Sequence, residues 1–295
     1  MALNAMVKEW DAIGLHLWAE EEGYLFPEPR KISYLAGPRS TDHLTAHARR
    51  SQLVAALPIG ATSAVLSIPA GVHAGEHIGF FLDAGFFFWT TVDEVQQSDD
   101  LFAVSDLFSD PDLFNGQRIV ALTFKDPLPF TAGQNNVVYT YLTPLPRPLR
   151  ILDARRVDTI TLIETPLIQM SRLDFRDLPN KFIPGSLNAW FYDPQLDDGV
   201  IWIWQQLFDS RFIMKFTWMR QLEDFNAARD TPDFPQEWTN CLTWNLADQM
   251  LVEYNTPEPA GRISQRAAAS LDRVTGFDKE PESIYAGVNF DQSTR

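Results

Sequence analysis

Between residues 51 and 145 the chain is written in short β runs, and no helical period interrupts them. SAVLSI (63–68), HIGFFL (77–82), FFFWTTV (86–92), RIVALTF (118–124) and NVVYTY (136–141) are rich in the β-branched and aromatic residues that suit a pleated, half-buried surface. Ala84-Gly85 reads as a hairpin turn, and Asp126-Pro127 and Thr131-Ala132-Gly133 supply further breaks. Five or six strands without a crossover helix specify a small antiparallel barrel or sandwich. The acidic stretch 93–117, with its Asp-Pro, reads as a long exposed loop.

The two ends of the chain follow a different period. Leu3, Met6, Val7, Trp10, Ile13 and Leu17 fall on one face of a helix over 3–18, with Gly23 as its stop. Near the other end, Trp238, Leu242, Leu246, Met250 and Tyr254 recur every four residues, with Cys241 and Leu251 beside them. Pro235 stands where a first helical turn tolerates a missing N–H. A last helix spans about 260–275, with Ile263, Ala267, Leu271 and Val274 on one face and Gly276 placed to end it.

Between these regions, KISYL (31–35) alternates like a short strand and Pro144–Pro148 marks a stiff boundary leading to RILDARRVD. TPLIQMSRLDFRDL (165–178) fits a short helix capped by Thr165, with Pro166 at its first position. LNAWFY (187–192), VIWIW (200–204) and RFIMKFTWMR (211–220) read as a second β unit of three strands. The expected class is α+β: a helical bundle from the N- and C-terminal helices, an inserted small barrel or sandwich, and a second β-hairpin unit. The expected divisions are 1–50, 51–145, 146–276 and an extended tail over 277–295.

The 295 residues carry a formal charge of −15, which disfavours sequence-specific gripping of nucleic acid. Acidity suits a different relation to DNA, namely a passage whose walls repel phosphates. The single cysteine, Cys241, excludes an internal disulfide and multi-cysteine zinc sites, and reads as a small core residue. The N-terminus, with Lys8, Glu9 and Asp11, lacks the pattern of a signal peptide, and no apolar run is long enough to span a bilayer. The expectation is a chain made soluble in a cytoplasm.

Candidate chemistry is sparse. His73-Ala74-Gly75-Glu76-His77 matches the H-x-x-E-H pattern of inverted zinc peptidases, but Pro69, Gly71 and Gly75 break the helix that pattern needs. A polar turn entering a strand is the better reading. His43 and His47 have helical spacing within DHLTAHARR and read as a solvated face. There is no phosphate loop and no nucleophile elbow. Asp99-Asp100 and Asp197-Asp198 sit in turn-like contexts and define no glycosidase pair. Trp89 with Phe86–Phe88 offers a carbohydrate-binding alternative if those rings lie open on a sheet face.

Four stretches, in order, carry a family likeness: MVKEWDAIGLHLWAEEEGYLF (6–26), RPLRILDARR (147–156), SRLDFRDLPNKFIPGSLNAWFYDP (171–194) and DFPQEWTNCLTWNLADQMLVEYN (233–255). FDKEPESI (277–284) fits as well. With these the sequence resembles the head-to-tail adaptor proteins of short-tailed bacteriophages, also called tail tubular protein A-like or head-completion proteins. The resemblance implies a non-enzymatic virion protein, made in the host bacterial cytoplasm and needing no cofactor. It implies a homo-oligomeric ring, typically a dodecamer, between the portal above and a nozzle or other tail protein below, with genomic DNA passing through unbound. By the same resemblance Phe277, Ile284, Tyr285 and Phe290 are assigned to portal docking, while the Trp238–Tyr254 stripe serves core or ring packing. The 51–145 module is an insertion that compact members lack. Twelve copies bring ~180 negative charges to a lumen whose ~50 Å of duplex holds ~30 phosphates. A phage tail-associated cell-wall hydrolase is the competing expectation.

Overall fold

The computed structural model describes residues 2–13, 19–68, 72–96, 118–222, 225, 234–254 and 261–277. Four helices lie among them: α1 (Ala2–Ile13), α2 (Arg172–Asp177), α3 (Thr239–Glu253) and α4 (Arg262–Phe277). The strands are β1 (Glu20–Leu25), β2 (Ser33–Ala36), β3 (Leu44–Thr45), β4 (Arg49–Leu53), β5 (Ser63–Ile68), β6 (His77–Phe81), β7 (Phe87–Gln96), β8 (Arg118–Phe124), β9 (Val137–Tyr141), β10 (Arg150–Asp158), β11 (Glu164–Pro166), β12 (Ile168–Gln169), β13 (Ala189–Asp193), β14 (Gly199–Trp204) and β15 (Phe212–Met219). The chain divides into two compact units, residues 20–220 and a second unit formed by 1–19 with 221–295.

Within residues 20–220, strands β4 to β9 close into a six-stranded antiparallel barrel in the order β4-β5-β8-β7-β6-β9. Period-two alternation fills it: Leu66, Ile78, Phe80, Leu82, Val92, Leu122 and Val138 point inward and are buried. Closure leaves no open sheet edge on this part of the molecule.

The remaining strands form two packed sheets, β11-β10-β15-β1-β3 and β12-β13-β14-β2. Tyr34, Trp190, Ile201 and Ile203 meet Leu25, Ile151, Met214, Phe216 and Trp218 between them. A separate apolar seam joins the barrel wall to the five-stranded sheet. Phe87, Val137 and Tyr139 of the barrel pack with Phe26, Val157 and Ile213.

The expected helical bundle with a small β insert is overturned. Among the described residues strand accounts for 38% and helix for 22%. The cause lies in short segments whose strand character comes from distant partners. β1 is EEEGYL, with no local apolar alternation, yet it pairs along its full length with β15, from Glu20↔Met219 to Leu25↔Met214. Gly23 therefore does not stop a helix. It is the residue over which the rings of Phe216 and Trp218 lie, and a Cβ there would stand 2.7 Å from Phe216.

Other local expectations shift for related reasons. The helix expected over 165–178 is instead β11, β12 and the short α2. Pro166, which lacks an N–H, sits in an edge strand, and the helix starts only where Ser171 forms a capping box with Asp174. The three-stranded second unit also separates. β13 and β14 pair with each other, while β15 crosses to the other sheet between β10 and β1. In the helical unit α4 continues through Gly276 to Phe277.

Candidate assembly surfaces

In the helical unit, Pro235 precedes a single tight turn at Gln236–Trp238, from which α3 continues. Trp238 is buried edge-on against Trp10 of α1, with ring centroids 5.5 Å apart, and Met6 and Cys241 complete that core. Leu242 and Leu246 are partly buried in the same cluster with Leu271 and Val274 of α4. The stripe then leaves the core: Met250 is 40% exposed and Tyr254 70%. One helical face thus does two jobs. Its first half holds the unit together, and its second half offers an apolar and aromatic surface to solvent.

The α3–α4 contact is polar at its centre. The Asn245 side chain donates to the Cys241 carbonyl at 2.9 Å and reaches the Ala267 carbonyl and Ser270 Oγ at 3.4 Å. Small residues on α4 allow that approach, since Ala267 and Ser270 are fully buried. Arg266 lies over Trp244 at 4.8 Å. Burial pushes the Cys241 thiol up, so it stays protonated and unreactive at neutral pH. Beside these residues is a cleft of about 310 Å³ lined by Glu237, Asn240, Cys241, Ser270, Arg273 and Val274. Phe277 ends α4, while Ile284, Tyr285 and Phe290 lie outside the described residues. Of the loop expected over 93–117, residues 93–96 are instead the end of β7, and 97–117 lie outside the described residues.

In the β unit the expected aromatic platform is divided between two interiors. Phe86 and Phe88 pack toward the barrel core, and Phe87 and Trp89 into the seam. Trp89 lies over Gly79, where a Cβ would stand 2.7 Å from the indole. His43 stacks on Trp89 at 4.2 Å and Phe26 meets its edge at 4.9 Å. His43 and Gly79 thus cover both faces of the Trp89 indole, which leaves that ring no face for a sugar to stack on.

His43 is accordingly not on a solvated face. Its Nδ1 is hydrogen-bonded to the Tyr141 hydroxyl at 2.8 Å, and His77 stacks on Tyr141 at 4.7 Å. Burial, then the nearby His77 and Lys31, lower the His43 pKa to about 3, and burial lowers that of His77. Both imidazoles are therefore neutral at pH 7. His73 and His77 go different ways: His73 contacts Glu76 Oε1 at 3.0 Å, and the fully buried Glu76 carboxylate also pairs with Arg49. Among the described residues no group of three or more His, Cys, Asp or Glu side chains is arranged to hold a metal ion. His47 is exposed, beside a cleft with Glu21, Glu22, Tyr24 and Arg49.

Two further surfaces were not foreseen from the sequence. On the outer face of the five-stranded sheet, Asp153, Arg155, Glu164, Lys215 and Glu22 form a ladder of alternating charge with successive gaps of 3.6, 3.4, 3.7 and 2.9 Å. The β10–β11 turn carries Ile160, Leu162 and Ile163, all exposed. Asp158 braces it by accepting from the backbone N–H groups of Ile160 (2.9 Å) and Thr161 (3.3 Å) and from Arg211 (2.7 Å). Burial opposes ionisation of Asp158, but those donors prevail and hold its carboxyl at about pH 2. The signal for such a turn was present in Asp158-Thr159 followed by large aliphatics. The clusters of charge have no local signature, because their members come from four strands.

No protein-family profile, curated protein or solved structure matches the chain. The functional reading rests on its residues and geometry.

Proposed function

We propose that this chain is a non-enzymatic ring subunit, a head-to-tail adaptor placed between the portal and the tail of a short-tailed phage virion. The observation that carries the reading is the meeting of Trp10 with Trp238 at 5.5 Å. These residues belong to the first and last of the stretches that resemble the family, and they are 228 positions apart in the chain. Likeness at the two ends thus converges on one helical unit. A head-to-tail ring asks each subunit for two different surfaces. The exposed end of α3 and the β10–β11 turn are two such surfaces, each apolar and each on a braced element. The strongly negative charge supports a conduit that DNA traverses without adhering.

The test is electron microscopy of the full-length protein mixed with its portal. A ring of subunits on the portal's tail side is the expected result. A protein that stays unbound, or that degrades peptidoglycan on its own, overturns the assignment.

A further inference from the structure

We infer that the flank of β1 at Glu22 is a strand-addition site, which takes up an extended, lysine- or arginine-bearing segment of a partner protein. β1 is paired unequally on its two sides. β15 follows it from Glu20↔Met219 to Leu25↔Met214, whereas β3 pairs only with Tyr24 and Leu25. The phase of the ladder decides which backbone groups face the β3 side. The Phe26 N–H donates to the His43 carbonyl there at 3.0 Å. Direction alternates along a strand, so Tyr24 and then Glu22 present their N–H and C=O to the same side. β15 gives the same answer. The Leu149 N–H donates to the Met219 carbonyl at 2.9 Å, so Met219 faces β10, and Trp218, Phe216 and Met214 face β1. Their partners are Glu21, Gly23 and Leu25, which leaves Glu22 to the flank. Among the described residues no backbone hydrogen bond reaches Glu22 from that side.

The chain that would continue β3 along this flank turns away. Thr45 Oγ1 accepts from the His47 N–H at 3.2 Å and donates to the Thr143 carbonyl at 2.9 Å, and from Arg49 the backbone belongs to the barrel. A cleft of about 430 Å³ opens between, with Glu21, Glu22 and Tyr24 on one wall and Ala46, Ala48 and Arg49 on the other. A guest strand ~10 Å long, about three residues, lies alongside Glu22 and completes its two bonds. Charge then selects the guest. Glu20, Glu21 and Glu22 are consecutive acids in a chain of net charge −15. Lys215 meets Glu22 at 2.9 Å but is shared with Glu164 at 3.7 Å, and Arg49 is engaged by the fully buried carboxylate of Glu76. A cationic side chain beside Glu22 therefore gains a carboxylate that Lys215 satisfies only in part. The same acids oppose pairing of two copies through this edge, because like charges would stand against each other.

The experiment uses the full-length protein without its portal, so its outcome is separate from the test of the ring. Amide hydrogen exchange at Glu22 is followed by NMR with a short blocked peptide of alternating lysine and valine. Its fully N-methylated form and a glutamate–valine counterpart serve as controls. The lysine–valine peptide should slow exchange at Glu22 about tenfold or more at saturation, and the controls should leave it unchanged. Exchange that is already slow in the free protein overturns the proposal, because the flank is then covered by the chain itself. So does exchange unmoved by the lysine–valine peptide, or slowed equally by either control. Glu22→Pro removes the donor on the flank and spares the bonds to β15, so the sheet is retained. It should weaken binding of the labelled lysine–valine peptide about tenfold by fluorescence anisotropy, and equal binding by the folded variant also overturns the site. The peptide series on the wild type decides the question even where Glu22→Pro does not fold.

Discussion

The ring of His43 lies flat on the indole of Trp89, with centroids 4.2 Å apart and planes 13° from parallel. His43 precedes β3 at the edge of the five-stranded sheet, while Trp89 belongs to β7 in the barrel. The stack therefore ties two β modules together through a group that must remain neutral. In the unfolded chain an imidazole takes up a proton near pH 6.5, but in the fold His43 does so only near pH 3. Between those values the unfolded state binds more protons. Stability is whole above about pH 6.5 and falls as pH drops through that window, by at most ~1.4 kcal/mol per pH unit for this residue. His77 acts in the same direction. Urea titrations at pH 7.5, 6 and 5 should show a shallower pH slope in His43→Phe than in the wild type. Equal slopes exclude His43 as the source.

Gly79→Ala tests the other face of the same indole. A Cβ at residue 79 stands 2.7 Å from the Trp89 ring, closer than carbon atoms approach, so the ring must leave its place over β6. The expected cost is ~1–3 kcal/mol by thermal or urea unfolding, with a change in tryptophan fluorescence. A neutral substitution means that the indole is not held against the strand.

The α3 stripe predicts opposite outcomes at its two ends. Trp238→Ala empties a buried site between α1 and α3 and costs ~3–5 kcal/mol. Tyr254→Asp, on a side chain that is mostly in solvent, changes stability by less than ~0.5 kcal/mol. If the exposed end is an assembly surface, Tyr254→Asp nevertheless abolishes the ring on the portal while its melting curve stays put. Normal rings from that variant remove this face from the interface.

Gly276 stands inside α4 with open space where a side chain would project. Gly276→Ala should stabilise the protein by ~0.5 kcal/mol, because alanine loses less backbone entropy in a helix. A loss of stability on calorimetry shows that the last turn of α4 does not need helical geometry at that position.

What could be read from the sequence was whatever repeats locally. The barrel strands announce themselves because β-branched and aromatic residues alternate over five or more positions, and α3 and α4 show a 3.6-residue period. β1, β3 and β11 do not. Glu20–Leu25 becomes a strand because β15 lies beside it, about 190 residues along the chain. Gly23, expected as the stop of a helix over 3–18, lies inside that strand. The same limit hid the role of His43: its neighbours Trp89, Tyr141 and Phe26 come from three separate segments, and no spacing rule links them. The braced turn at Ile160–Ile163 was more accessible, since three large aliphatics after Asp158-Thr159 are conspicuous once the turn itself is recognised.

The paired ends of β1 and β15 have a mechanical consequence. Residue 20 enters the β unit opposite residue 219, where it leaves, and the Glu21–Arg220 ion pair at 3.0 Å clasps that doorway. Tension arriving through both flanking segments pulls these antiparallel strands apart from the same end. The ladder then yields one rung after another rather than resisting as a whole, as it does when strands are dragged lengthwise. A pull applied there would meet its first resistance at the clasp, and the sheet behind it would open like a zip.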